Sequence, residues 1–163
     1  MKKKTKVFLI LLAFAIFIGM VFFKPLPPTP DVVIQTIDNQ RFNLRDFHGQ
    51  SVIVTFWATN CPPCLKEIPD LLQLYREYHQ QGLEIIAVNM PYDIPSHVVA
   101  LKQQMAIPYP LVLDLHSKIN KGFGGVAFTP TSFLIAPNGT IVWQKTGRFD
   151  VNVMRKKIAE LSG

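Results

Sequence analysis

The sequence predicts an α/β domain, a mixed central sheet with helices on both faces, with an N-terminal β-hairpin extension and one N-terminal transmembrane helix. Three observations predict it. Residues 51–57 and 83–89 are apolar runs of strand length, and residues 62–81 between them repeat apolar positions at helical spacing, which makes a parallel strand–helix–strand crossover. Residues 131–135 and 140–144 flank Pro137-Asn138-Gly139, and Asn-Gly between apolar runs signals an antiparallel hairpin. Residues 7–23 carry no charge, between Lys2, Lys3, Lys4 and Lys6 on one side and Lys24 on the other.

That apolar run would span roughly 25 Å as a helix at about 1.5 Å per residue, a short but feasible membrane crossing. The larger basic cluster precedes it, so the positive-inside rule keeps the N-terminus in the cytoplasm and exports the remainder. A cleaved signal peptide would have a shorter apolar region and a small-x-small cleavage site. Here the run ends in Met20-Val21-Phe22-Phe23, so residues 1–24 read as an uncleaved signal anchor. Residues 25–31 hold four of the thirteen prolines and read as a semi-rigid extended spacer. Residues 32–163 form the domain. Five of the seventeen basic residues lie at or before Lys24, leaving twelve against eleven acidic residues. The basicity is therefore a property of the N-terminus, and the domain has no nucleic-acid footprint.

Within the domain, residues 32–37 and 41–44 pair as a hairpin around Asp38-Asn39, and residues 44–49 make one helical turn stopped by Gly49. Strand 51–57 and a helix to about Gln81 follow, with Pro69 inside the helix and Gly82 as its stop. After strand 83–89 and a proline-bounded loop, Ser96 is the expected N-cap of a helix running to about Met105. A short strand at 111–114, a brief helix at 117–123, the closing hairpin and an amphipathic helix at 151–161 complete the chain.

Cys61 and Cys64 are the only cysteines, and they stand where strand 51–57 runs into its helix. A Cys-x-x-Cys beside a β–α–β pattern reads as a thioredoxin-like redox motif. The positive end of the helix and its unpaired N–H groups stabilise a thiolate, most strongly at the first cysteine. Cys61 is thus expected to be the exposed attacking thiolate and Cys64 the buried resolving thiol, with exchange passing through a mixed disulfide. Pro62 and Pro63 remove two N–H donors and stiffen the turn, opposing effects that leave the potential unsigned. Trp57 is either core or a border of the substrate groove. A zinc site would need two more ligands, and His48, His79, His97 and His116 are scattered.

Further residues carry a family resemblance. They are Phe42-Asn43-Leu44-x-x-Phe47-x-Gly49, Phe56-Trp57-Ala58-x-x-Cys61-x-Pro63-Cys64 with Pro69, Glu84-Ile85-Ile86-Ala87-Val88-Asn89, Pro130-Thr131-x-Phe133-Leu134-Ile135 and Asn138-Gly139-x-Ile141. On these the chain resembles the membrane-tethered thioredoxin-like reductases of the TlpA/ResA group. The resemblance implies a thioredoxin fold and a cis bond at Thr129–Pro130 facing the disulfide. It also implies a groove bordered by Trp57, Pro62, Pro63, Thr129 and Pro130. The implied function is reduction of selected protein disulfides, with apocytochrome c as a possible client. The reaction would need no cofactor and would take place outside the cytoplasm, in the periplasm or outside the cell. A membrane thiol-reductant transporter of the CcdA/DsbD type would supply electrons. A disulfide oxidase or isomerase of the same fold and, from another class, a copper-binding metallochaperone are the alternatives.

The chain also departs from the pattern. Thr55 stands where thioredoxins have a buried Asp, Tyr92 is the nearest match to a loop Glu of the reductases, and Asn60 replaces the usual Trp. Asp93 and Glu84 are left as candidate proton carriers.

Overall fold

The structure, a computed structural model, describes residues 28–161. The apolar run 7–23 lies outside them, and among the described residues no helix is long and apolar enough to cross a membrane. Seven strands form two sheets: β1 Val33–Gln35, β2 Arg41–Asn43, β3 Ser51–Trp57, β4 Leu83–Asn89, β5 Leu111–Leu113, β6 Thr131–Ile135 and β7 Ile141–Thr146. Four α-helices lie between and after them: α1 Pro62–Tyr78, α2 Pro95–Gln104, α3 Lys118–Gly122 and α4 Val151–Leu161.

The main sheet has the order β5-β4-β3-β6-β7. β3 runs parallel to β4, from Ser51 opposite Leu83 to Trp57 opposite Asn89, and antiparallel to β6, from Val52 opposite Ile135 to Phe56 opposite Thr131. One end of the sheet therefore gathers the C-terminal ends of β3 and β4 with the start of β6. Every residue of β3 and β4 is buried, as expected for central strands covered on both faces. Alternation divides them: Ile53 and Ile85 face a core shared with Leu71, Leu74, Val98, Met154 and Ile158 of α1, α2 and α4. Val54, Phe56, Ile86 and Val88 face a second core with Ile34, Leu44 and Phe123, closed by the β1–β2 hairpin and α3.

Element ends shift by a residue or two at several places, and two of the shifts have a clear physical reason. α1 stops at Tyr78, and a 3-10 turn over His79–Gln81 tightens the chain before Gly82 at φ 89°. α2 starts two residues earlier than a Ser96 cap allows. Pro95 occupies its first position and Ile94 the cap, because proline's fixed φ suits that position and its missing N–H costs nothing there.

The proline-rich stretch is also less free than a spacer. The Thr29 N–H donates to the Gly139 carbonyl at 2.9 Å and its hydroxyl donates to the same oxygen, while Pro28 bridges to Thr140. Asp31 pairs with Arg45 at 2.9 Å and accepts from Asn43 at 2.8 Å. Residues 28–31 are thus held against the domain.

Candidate functional site

β3 ends at Trp57, and the chain passes through Ala58, Thr59 and Asn60 to Cys61, the N-cap of α1. Pro62 and Pro63 fill the first two helical positions, where a missing N–H is least costly. Cys61 and Cys64 are joined by a disulfide, S–S 2.07 Å, with Cα atoms 5.2 Å apart. The Cys64 N–H donates to the Cys61 sulfur at 3.3 Å. The two prolines leave that N–H as the first free donor of the helix, and it is spent on the attacking sulfur.

The expectation of an exposed Cys61 is corrected: Cys61 is only 7% exposed and Cys64 2%. As N-cap, bonded to the sulfur one turn on, the Cys61 side chain folds back over the helix end instead of projecting. The order of exposure is nevertheless the expected one.

Cys64, but not Cys61, lines a small cavity of about 10 Å³ together with Thr55, Trp57, Glu67, Tyr109 and Pro130. The Thr129–Pro130 bond is cis, as the resemblance implied. Trp57 is both core and border: it is 4% exposed, lines the cavity, and its indole N–H is the buried side-chain donor among the described residues that lacks a partner.

Glu67 is a candidate site residue that sequence reasoning missed. It is 1% exposed, on the face of α1 that buries Cys64, Ile68 and Leu71. Its carboxylate accepts from the Ser132 hydroxyl at 3.3 Å and from the Phe149 N–H at 3.1 Å. Burial pushes its pKa up to about 7, against the lowering effect of those two bonds and of Arg148. The Ser132 oxygen also lies 2.9 Å from the Thr55 hydroxyl, which can donate to it in turn, so the position without its acid is wired to an acid arriving from the helix. The available signal was a carboxylate three residues after Cys64, on a stripe otherwise apolar.

Neither of the two carboxylates favoured by the sequence is placed to serve the cysteines. Glu84 pairs in register with Val52 at the start of β4, five residues or about 17 Å along the strand from Asn89. Burial raises its pKa, but the structure does not bring it to the cysteines. Asp93 is near the site yet fully engaged. It accepts from the Thr59 N–H and hydroxyl at 2.5 Å each, from Asn89 at 2.7 Å and from the Ile94 N–H at 2.8 Å. Burial alone would raise its pKa, but these bonds outweigh burial and hold it below the ordinary value. Asp93 is a clamp on the loop that presents Cys61, and a poor proton carrier.

Asp93→Ala would strand four buried or half-buried donors and should cost about 2–3 kcal/mol of stability, with Asp93→Asn costing less. Denaturant unfolding at pH 7 checks this. Because the folded pKa lies below the unfolded one, the clamp's contribution should be present above about pH 4 and fade as pH falls.

The sequence pattern of the AhpC/TSA family matches residues 27–144. The thiol-disulfide oxidoreductase ResA of Bacillus subtilis strain 168 is 32% identical over 133 residues, 82% of this chain and 73% of that protein. ResA of Geobacillus thermodenitrificans is 34% identical over 112 residues, 69% of this chain, and the match spans only 63% of that relative. The crystal structure of a thiol:disulfide interchange protein of the thioredoxin family from Chlorobium tepidum superposes with a TM-score of 0.78 at 26% identity. It covers 86% of this chain and 98% of that one.

Proposed function

Because the chain belongs to the AhpC/TSA family and has the fold and motif of its ResA-type relatives, we propose that it is a protein thiol–disulfide oxidoreductase working as a reductase of selected disulfides. One observation carries the reading: a Cys61–Cys64 disulfide at a helix N-terminus whose inner sulfur shares a cavity with a buried acid.

In the reduced chain the helix N-terminus and the Cys64 N–H favour the Cys61 thiolate. That thiolate attacks one sulfur of a client disulfide, the client S–S bond breaks, and the departing client thiolate takes up a proton. Cys61 is left in a mixed disulfide. Cys64 then gives its proton to Glu67, attacks the Cys61 sulfur and releases the second client thiolate. Two electrons have passed to the client, and the chain ends in the disulfide state seen here. A carboxyl with a pKa of about 7 suits that transfer, being able to take and return a proton near neutral pH.

The uncharged run 7–23 behind its basic cluster supports an anchor at residues 1–24 and so a place on the outer face of the cytoplasmic membrane, with the catalytic domain in the periplasm or outside the cell. A transporter of the CcdA/DsbD type would then supply reducing equivalents, and apocytochrome c is a fitting client. The direction is tested by equilibration against glutathione. The expected potential lies near thioredoxin's, about −270 mV, and a value near −120 mV would reverse the reading to an oxidase. Among the described residues no group of three or more His, Cys, Asp or Glu is placed to hold a metal. A metallochaperone role would thus depend on the two thiols alone, and tight stoichiometric Cu(I) binding without insulin reduction would favour it.

A further inference from the structure

We infer that the domain is mounted with the end of its sheet that carries the Asn138-Gly139 turn against the lipid surface, so that Cys61 and Cys64 face away from the membrane. The inference rests on the proposed anchor and goes beyond it, since an anchor alone leaves the domain free to turn.

The first observation is the position of the strap. Thr29 is bonded to Gly139 and Pro28 bridges to Thr140. A Cβ on Gly122 would stand 3.0 Å from Pro30, so the strap also packs closely on α3. The turn it grips adjoins the start of β3, where the Gly49 N–H donates to the Pro137 carbonyl at 2.8 Å. β3 then runs seven residues, about 20 Å, before it delivers the chain to the cysteines. Entry point and disulfide thus occupy opposite ends of the sheet.

The second observation is the short reach of the intervening chain. Phe23 ends the apolar run and Pro28 is already pinned. Five residues span at most about 18 Å even when fully extended. The turn end therefore stays within that distance of the membrane.

The third observation is charge. The three loops at the turn end, residues 48–50, 79–82 and 137–139, contain no Asp, Glu, Lys or Arg. Gln50, Gln80, Gln81 and Asn138 are exposed there. The loop tips themselves thus carry no carboxylate to repel an anionic headgroup, and the carboxylates flanking them are engaged, Asp46 with the Asn43 N–H, Glu77 with Arg155 and Glu84 with the Ile85 N–H. The disulfide end, by contrast, carries exposed charge at Arg148 and Asp150 in the loop before α4.

This mounting also constrains the reductant. The dithiol that recharges Cys61–Cys64 must be carried on a segment standing clear of the headgroups, by roughly the length of β3 or more.

The test uses the full chain with Cys61→Ser and Cys64→Ser, reconstituted in nanodiscs holding a headgroup-labelled acceptor lipid. A donor dye is placed through Gln50→Cys at the turn end or Tyr92→Cys at the disulfide end. Energy transfer should be several-fold more efficient from position 50. Thr29→Pro, which removes both donors of the strap, should bring the two efficiencies together, with thermal unfolding confirming that the domain stays folded. Equal transfer without that change, or stronger transfer from position 92, would overturn the mounting while leaving the anchor intact. A chain that does not associate with the nanodisc would overturn the anchor, and the mounting with it.

Discussion

Glu67→Gln is expected to flatten the pH dependence of stability and to slow thiol exchange by about 100-fold, the scale of a lost general acid–base. The folded pKa of Glu67 is about 7 and its ordinary value 4.5, so the native state binds the extra proton between those limits. Stability from this group is complete below about pH 4.5 and declines as pH rises through about 7. The span corresponds to about 3 kcal/mol. Glutamine can keep both contacts, accepting from the Phe149 N–H and donating to Ser132, without having to ionise. Urea unfolding of the disulfide form should show the two proteins equal near pH 4.5 and the variant more stable by up to about 3 kcal/mol at pH 8. The same substitution should remove the rate limb near neutrality from the exchange profile. A variant less stable than the parent at pH 8, or one with an unchanged profile, would show that Glu67 neither ionises nor carries the proton.

Cys61→Ser is expected to abolish disulfide reduction, to the uncatalysed rate, because the serine hydroxyl is no nucleophile toward sulfur at neutral pH. Cys64→Ser should behave differently. It keeps the attacking thiolate but cannot resolve the mixed disulfide, so the first equivalent of substrate is attacked and turnover stops. Insulin reduction over many turnovers would thus be lost in both, while single-turnover thiol release would survive only in Cys64→Ser. The cavity explains why the roles should not exchange: Cys64 sits beside the buried acid and is almost closed off, while Cys61 holds the more exposed position at the helix cap.

The strand–helix–strand core around the cysteines was legible because strong local signals agreed with the final packing. Fully buried β3 and β4 wrote continuous apolar runs, and Asn138-Gly139 marked the hairpin turn, with Gly139 at φ 80°. The disulfide pair and the cis proline were legible from motif. The proton carrier was not, because its position depends on which helix face is buried against which strand. Glu67 reads as one more charge beside Lys66 until α1 is packed, whereupon the spacing from Cys64 turns it inward and Lys66 outward. Asp93 misled for the converse reason. A carboxylate in the right loop has the right chemistry, but Thr59, Asn89 and Ile94 had already taken its lone pairs. The strap over residues 28–31 was hidden because four prolines in a short stretch describe a stiff chain without saying what it lies against.

The most direct test of the dithiol mechanism is to mix reduced Cys64→Ser chain with a disulfide-bonded substrate, quench with acid and map the adduct by mass spectrometry. A single substrate-derived adduct on Cys61, formed in one equivalent and released by dithiothreitol, is the predicted result. An unmodified Cys61 under conditions in which the unaltered chain reduces the same substrate would contradict it.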